Sequence, residues 1–168
     1  MGSERQVDLE RQVQVVDQER IAALAQTAQA EQRRRTHLLL HGGHSDPVQR
    51  LLLVLQPGTS VRPHQHSQQW EMLILQQGRI DLFHFSDAGC LLDRIELSRA
   101  APIVQIPVGL WHGAVILEPD TAVMEIKPGP YRPNEFADWA PPEGDPQAAR
   151  FVTWATAAGP SQCWSPPG

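Results

Sequence analysis

Three side chains able to bind a metal fall within eight residues of this chain. They are His64, His66 and Glu71, in the stretch Gly58-Thr-Ser-Val-Arg-Pro-His64-Gln-His66-Ser-Gln-Gln-Trp-Glu71, which Gly78 closes. Pro107-Val-Gly109-Leu-Trp-His112 adds a fourth about forty residues on. Successive side chains on a strand point to opposite faces, so His64 and His66, two apart, project the same way. Imidazole nitrogens with one carboxylate oxygen form a borderline donor set, suited to a divalent first-row ion such as iron, zinc, manganese, nickel or cobalt. Three His and one Glu leave positions open on an octahedral ion. Catalysis needs that opening, and structural zinc avoids it.

Other residues offer chemistry with a bland reading beside it. Glu125 and Lys127 share one face of a strand. They form either an ordinary solvated ion pair or, inside a barrel, an acid, base or substrate anchor. Arg62 has the parity of His64 and His66, so it is a candidate for binding an anionic group at a pocket mouth, with a surface role equally open. His41-Gly-Gly-His44 reads as a solvated loop rather than a second metal pair. His84 between Phe83 and Phe85 reads as a packed or surface histidine, Cys90 as an incidental free thiol, and Trp111 as a packing residue.

The elements that must position these residues are short and β-rich. After twelve polar residues expected to fray, Val13-Gln-Val-Val16 alternates weakly, as an edge strand would. From Asp17, an N-cap candidate, Ile21, Leu24, Ala25 and Ala28 follow helical spacing to about residue 32. Strands are expected at 37–41, 49–56, 59–64, 69–76, 79–86, 91–98, 103–106, 112–117 and 121–127. Asp87-Ala-Gly89 and Glu118-Pro-Asp120 read as hairpin turns. Many short strands at this rhythm fold as an antiparallel sandwich or barrel, and two packed Greek keys form a jelly roll. Leu51-Leu-Leu-Val-Leu55 is apolar on both faces, so its outer face needs cover from the helix or from a second copy in a homodimer. The expected organisation is an N-terminal extension and helix over 1–36 and a barrel over 37–128. A Pro-rich wrap over 129–158 and a disordered tail over 159–168 complete it.

Composition narrows the function classes. A net charge of −5, with Arg33-Arg-Arg35 as the only basic run, argues against a nucleic-acid surface. No apolar run reaches membrane-spanning length and no apolar leader opens the chain, so a cytoplasmic, soluble protein is expected. Two cysteines far apart, one in the tail, suggest neither a disulfide framework nor a Cys zinc site.

The spacing resembles the two signature motifs of the cupin superfamily, and it implies an all-β double-stranded β-helix, the jelly-roll cupin barrel, here with an N-terminal α-helix. The first motif is Gly, five residues, His-x-His, four residues, Glu, six residues, Gly, and Gly58, His64, His66, Glu71 and Gly78 match every element. The second is Pro-x-Gly-x-x-His followed, after three more residues, by Asn. Ile116 stands at that last position and leaves the ligands intact. A degenerate cupin whose polar residues only hydrogen-bond one another would have to satisfy three buried imidazoles and a carboxylate without an ion.

The flanks are similar to the WbuC-family cupin metalloproteins: Arg35, Asp46-Pro-Val-Gln-Arg50, Pro63-His-Gln-His66, Trp70-Glu71, Ile106-Pro-Val-Gly-Leu-Trp-His112, Glu125-Ile-Lys127, Gly129-Pro-Tyr131 and Trp139-Ala-Pro-Pro-Glu-Gly144. His37 departs from the family pattern, which suggests Asn there. The resemblance adds Gln49, Arg50 and Tyr131 as substrate-binding candidates. It implies a metal-dependent enzyme acting on a small polar metabolite, such as a sugar derivative of surface-polysaccharide metabolism. Two rival classes stand beside it. One is a non-catalytic ligand-binding or sensor module, which a fused DNA-binding element would mark. The other is a metal-independent sugar-nucleotide epimerase, whose His-Asp dyad the four-ligand set argues against.

Overall fold

A computed structural model describes residues 13–59 and 61–165, so the expected fraying of residues 1–12 lies outside them. Val13–Val16 forms no strand; Val13 and Val15 are exposed. Asp17 caps helix α1 (Gln18–Ala30), accepting from the Arg20 backbone N–H at 2.8 Å and so satisfying one of the open amides of the first turn.

Ten strands follow: β1 (Arg35–Leu39), β2 (Val48–Leu55), β3 (Val61–Gln65), β4 (Glu71–Gln77), β5 (Ile80–Phe85), β6 (Leu91–Leu97), β7 (Ile103–Ile106), β8 (Trp111–Ile116), β9 (Thr121–Pro128) and β10 (Glu135–Phe136). They form two five-stranded sheets in the orders β1-β2-β9-β4-β7 and β10-β3-β8-β5-β6, and the pairs within each sheet run antiparallel. This is the jelly-roll, double-stranded β-helix architecture. Residues 87–89 do close the β5–β6 hairpin, with the Gly89 amide bonded to the Ser86 carbonyl at 3.0 Å. Residues 118–120 do not close a hairpin. β8 and β9 belong to different sheets, so this turn carries the chain across the sandwich. Gly78 makes the matching crossover between β4 and β5 at a φ of +85°, where a Cβ would strike the Thr121 side chain.

Alternation sorts the side chains into three layers. Leu55, Leu73, Leu75, Ile80, Leu82, Ile116 and Val123 meet between the sheets. Leu52 and Val54, on the other face of β2, lie under Ile21, Ala25 and Ala28 of α1. The two-sided strand is therefore covered within one chain, which removes the reason for expecting a homodimer.

Outside the second sheet, Phe83, Phe85 and Val115 pack against a second helix, α2 (Pro146–Ala157). This helix was not expected within the Pro-rich wrap. Asp145 caps it, and Pro146 sits in the first turn, where its missing N–H costs nothing. The tail corrects two further expectations. Cys90 is not a free thiol but is disulfide-bonded to Cys163, 73 residues away. Residues 161–164 bond backbone to backbone with Gly89 and Leu91, and Trp164 packs on Phe151 and Trp154, so this part of the tail is ordered.

Candidate metal centre

The His-x-His pair leaves the end of β3, Glu71 opens β4, and His112 lies on β8 directly opposite His64 in register. Gly109, at a φ of +74°, lets the turn before β8 fold back so that its amide reaches the His66 carbonyl at 2.9 Å. That bond ties the second motif to the first. One ligand atom from each of His64, His66, Glu71 and His112 lies within 4.8 Å of the others, and all four residues are buried.

The Nδ1 atoms of His64 and His112 lie 2.9 and 2.8 Å from the carbonyls of Arg62 and Leu110. A proton on each Nδ1 leaves both Nε2 atoms as lone-pair donors, the orientation that metal-binding histidines need. His112 Nε2 is 3.0 Å from Glu71 Oε2, and His66 Nε2 is 3.4 Å from the same oxygen. Both His66 nitrogens are buried without a hydrogen-bond partner, which is costly unless something else occupies them. These residues fit a divalent transition metal. Burial, with the neighbouring imidazoles, pushes His64 down to about 3 and keeps it neutral. Burial opposes ionisation of Glu71, yet His112 and His66 hold its carboxyl well below the usual range.

The cluster faces a cavity of about 520 Å³ between the sheets. Its interior is aliphatic (Leu53, Leu55, Leu73, Ile80, Leu82, Ile116, Val123), and His64, Glu71, His112, Glu125 and Lys127 face it as polar groups. Glu125 and Lys127 thus point inward, 2.7 Å apart, with side chains only 13% and 11% exposed. Burial and the nearby Glu71 charge raise Glu125 to about 7, against the pull of Lys127. Lys127 is raised from its ordinary value: burial works against its charge, and Glu125 and Glu71 outweigh it.

Arg62 lines the cavity but donates to the Ala140 and Ala137 carbonyls at 3.2 and 2.8 Å, holding down the wrap. Gln49, Arg50 and Tyr131 do not line it. The buried Gln49 amide bonds the Gly43 and Asp46 carbonyls, Arg50 pairs with Asp46, and Tyr131 stacks on His44. His41 is buried against the Arg50 backbone rather than solvated. His37 pairs with Leu53 at the sheet edge and is exposed. His84 lies opposite His112 on β5, half-buried, outside the four-residue cluster. Trp111 packs on Trp139, its indole N–H bonded to Asp87.

Reasoning from the sequence missed the cavity mouth. Arg33 and Arg35 line it and share Glu143, and Asn134 and Phe136 come from the wrap. One signal at the deep end was readable: Lys127 is the only lysine in the chain.

A family model described as a domain of unknown function (DUF6016) matches residues 16–97, which span α1 to β6. No curated protein sequence matches the chain. A conserved protein of unknown function from Streptococcus pyogenes, SPY1581, is 14% identical at a TM-score of 0.51, over 72% of this chain and 91% of that one. KdgF from Halomonas sp. is 22% identical at 0.49, over 61% and 85%. A cupin-2 domain containing protein from Shewanella frigidimarina is 19% identical at 0.44, over 55% and 79%. Likeness at such identities speaks to fold alone. The fold is a jelly roll of two antiparallel sheets, and within it lies a buried cluster of three histidines and a glutamate able to hold a metal.

Proposed function

We propose that this chain is a cupin metalloenzyme acting on a small polar metabolite, with His64, His66, Glu71 and His112 as ligands and Glu125 as the proton-transferring group. The observation that carries this reading is the second ionisable pair. The sole lysine is buried 2.7 Å from the buried Glu125 carboxyl, in the same cavity as the ligand cluster. A carboxyl held by a buried ammonium beside the substrate space is placed to accept and return a proton, which is what general acid–base chemistry asks for. Lys127, kept charged by its two carboxylate neighbours, fixes Glu125 and offers a cation to charge developing on the substrate. A divalent ion held by the four ligands would polarise a carbonyl or hydroxyl of the substrate. The likeness to WbuC-family motifs supports a sugar derivative of surface-polysaccharide metabolism as that substrate.

The test combines metal analysis of the purified protein with a screen of sugars, sugar acids and keto acids, followed for conversion by NMR. Glu125→Gln should keep its metal and still bind the compound that wild type converts, but lose at least a hundredfold in turnover. Wild-type protein that binds a compound at the metal and converts none would replace this reading with a ligand-binding module.

A further inference from the structure

At the cavity mouth, Glu143 is gripped by two guanidinium groups. Arg33 Nε and Nη2 reach its two oxygens at 2.8 and 2.7 Å, and Arg35 Nη2 reaches Oε2 at 2.9 Å. A carboxylate held in a fork by one arginine and bonded by a second is how proteins bind carboxylate or phosphate groups of ligands. Glu143 sits on the wrap between β10 and α2, its side chain 37% exposed, and both arginines flank a cavity that ends on the metal cluster. Arg33 and Glu143 are 62% and 37% exposed and Arg35 23%, so the contact is open to solvent, and a ligand anion that fills the same fork can take the place of Glu143.

The charge of the cavity points the same way. Among its described lining residues, Arg33, Arg35, Arg62 and Lys127 face Glu71, Glu125 and Glu143. This is a local cationic excess in a chain whose net charge is −5. Arg62 adds to the field because it spends its donors on neutral carbonyls and lies over the Phe136 ring, with no carboxylate partner among the described residues. With four cations to three carboxylates, the cavity carries a small net positive charge between low-dielectric walls, which favours ligands of the other sign.

We propose that the cavity takes an anionic small molecule, carrying a carboxylate or phosphate, whose anionic group displaces Glu143 from Arg33 and Arg35. Glu143 is then a resident stand-in for the ligand, and the arginines set specificity. The inference names the substrate class of the reading above and rests on the same cavity serving as the active site.

Calorimetric titration of the purified protein with inorganic phosphate, malonate and neutral glycerol tests it, with metal content measured in each sample. Binding of phosphate or malonate, weakening with added salt, and no binding of glycerol is expected, and the tighter of the two anions identifies the group. Arg35→Gln should weaken that binding about tenfold, and Glu143→Gln should tighten it severalfold. A gain of affinity cannot come from misfolding, so the second variant keeps the test decisive. Equal affinities in wild type, Arg35→Gln and Glu143→Gln, or no anion binding at millimolar concentration, would overturn the inference. Affinities in the expected order in protein that takes up no metal when metal is supplied would keep the inference and remove the metalloenzyme reading. Flat affinities in protein that holds metal and converts a compound would do the reverse.

Discussion

Two charged clusters share one cavity and differ in almost everything but residue type. At the deep end Glu71, Glu125 and Lys127 lie among buried histidines, with the side chains of the Glu125–Lys127 pair 13% and 11% exposed. At the mouth Arg33 and Glu143 are 62% and 37% exposed. Water screens the outer pair, so its geometry carries little energy and its partners can be exchanged. The inner groups are screened far less, and removing one leaves its buried neighbours unsatisfied. Burial, rather than residue type, makes one cluster hard to disturb and the other a contact open to exchange.

The largest effect expected from this contrast is on metal. His64→Ala, His66→Ala and His112→Ala should each lose most bound metal after gel filtration, and a His64→Ala/His112→Ala double variant should hold essentially none. His44→Ala, on a residue stacked with Tyr131 outside the cluster, should leave metal content alone. Full occupancy in the double variant would show that the deep cluster is not the site.

Next is Lys127→Met, which strips Glu125 of its cation beside Glu71. Breaking a buried pair costs about 3 kcal/mol. Urea unfolding should show that loss at pH 8 and a smaller one at pH 5, where Glu125 takes up a proton. A loss that is the same at both pH values would detach Glu125 from Lys127.

A smaller, pH-shaped effect is expected for Glu125→Gln. Folded Glu125 keeps its proton up to about 7, whereas the unfolded carboxyl releases it near the ordinary 4.5. Its contribution to stability is therefore fully present below 4.5 and lost as pH rises through 7. The stability of metal-free Glu125→Gln relative to wild type should accordingly climb across that window. A flat difference would mean that Glu125 titrates as an ordinary carboxyl.

The smallest effect belongs to the mouth. Arg33→Ala should cost no more than about 1 kcal/mol in urea unfolding, and less in high salt. A cost equal to that of Lys127→Met would erase the distinction between the two clusters.

How much of this was legible depended on how local the signal was. The four residues of the cluster and the strands carrying them follow short spacings and alternation, and most strand boundaries came within two residues. That α1 would cover Leu52 and Val54 could be read as one of two options, because a strand apolar on both faces states its need but not its partner. The mouth was illegible. Glu143 lies more than a hundred residues from Arg33 and Arg35, and although Arg35 and Glu143 both fall in the flanking motifs, nothing in either segment says that they meet. Helix α2 was hidden by its surroundings, since the prolines on its N-terminal side suggested irregular chain while Asp145-Pro146 was in fact a start signal. Cys90 and Cys163 meet only because the tail returns along the β5–β6 turn.

The order of strands in the first sheet has a consequence for how the molecule comes into being. β9 lies between β2 and β4, and it is the last long strand to leave the ribosome. Until residues 121–128 have been synthesised, β2 and β4 have no shared partner, and Glu71 sits on a strand whose neighbour on that side does not yet exist. A chain halted at residue 120 holds all four histidine and glutamate residues of the cluster yet cannot close the wall behind them. Pairing across such sequence distances is slow because loop closure precedes any reward. The deep site therefore matures late, as one step with closure of the barrel, and nascent or truncated chains present the unpaired edges of β2 and β4, the pattern that invites aggregation.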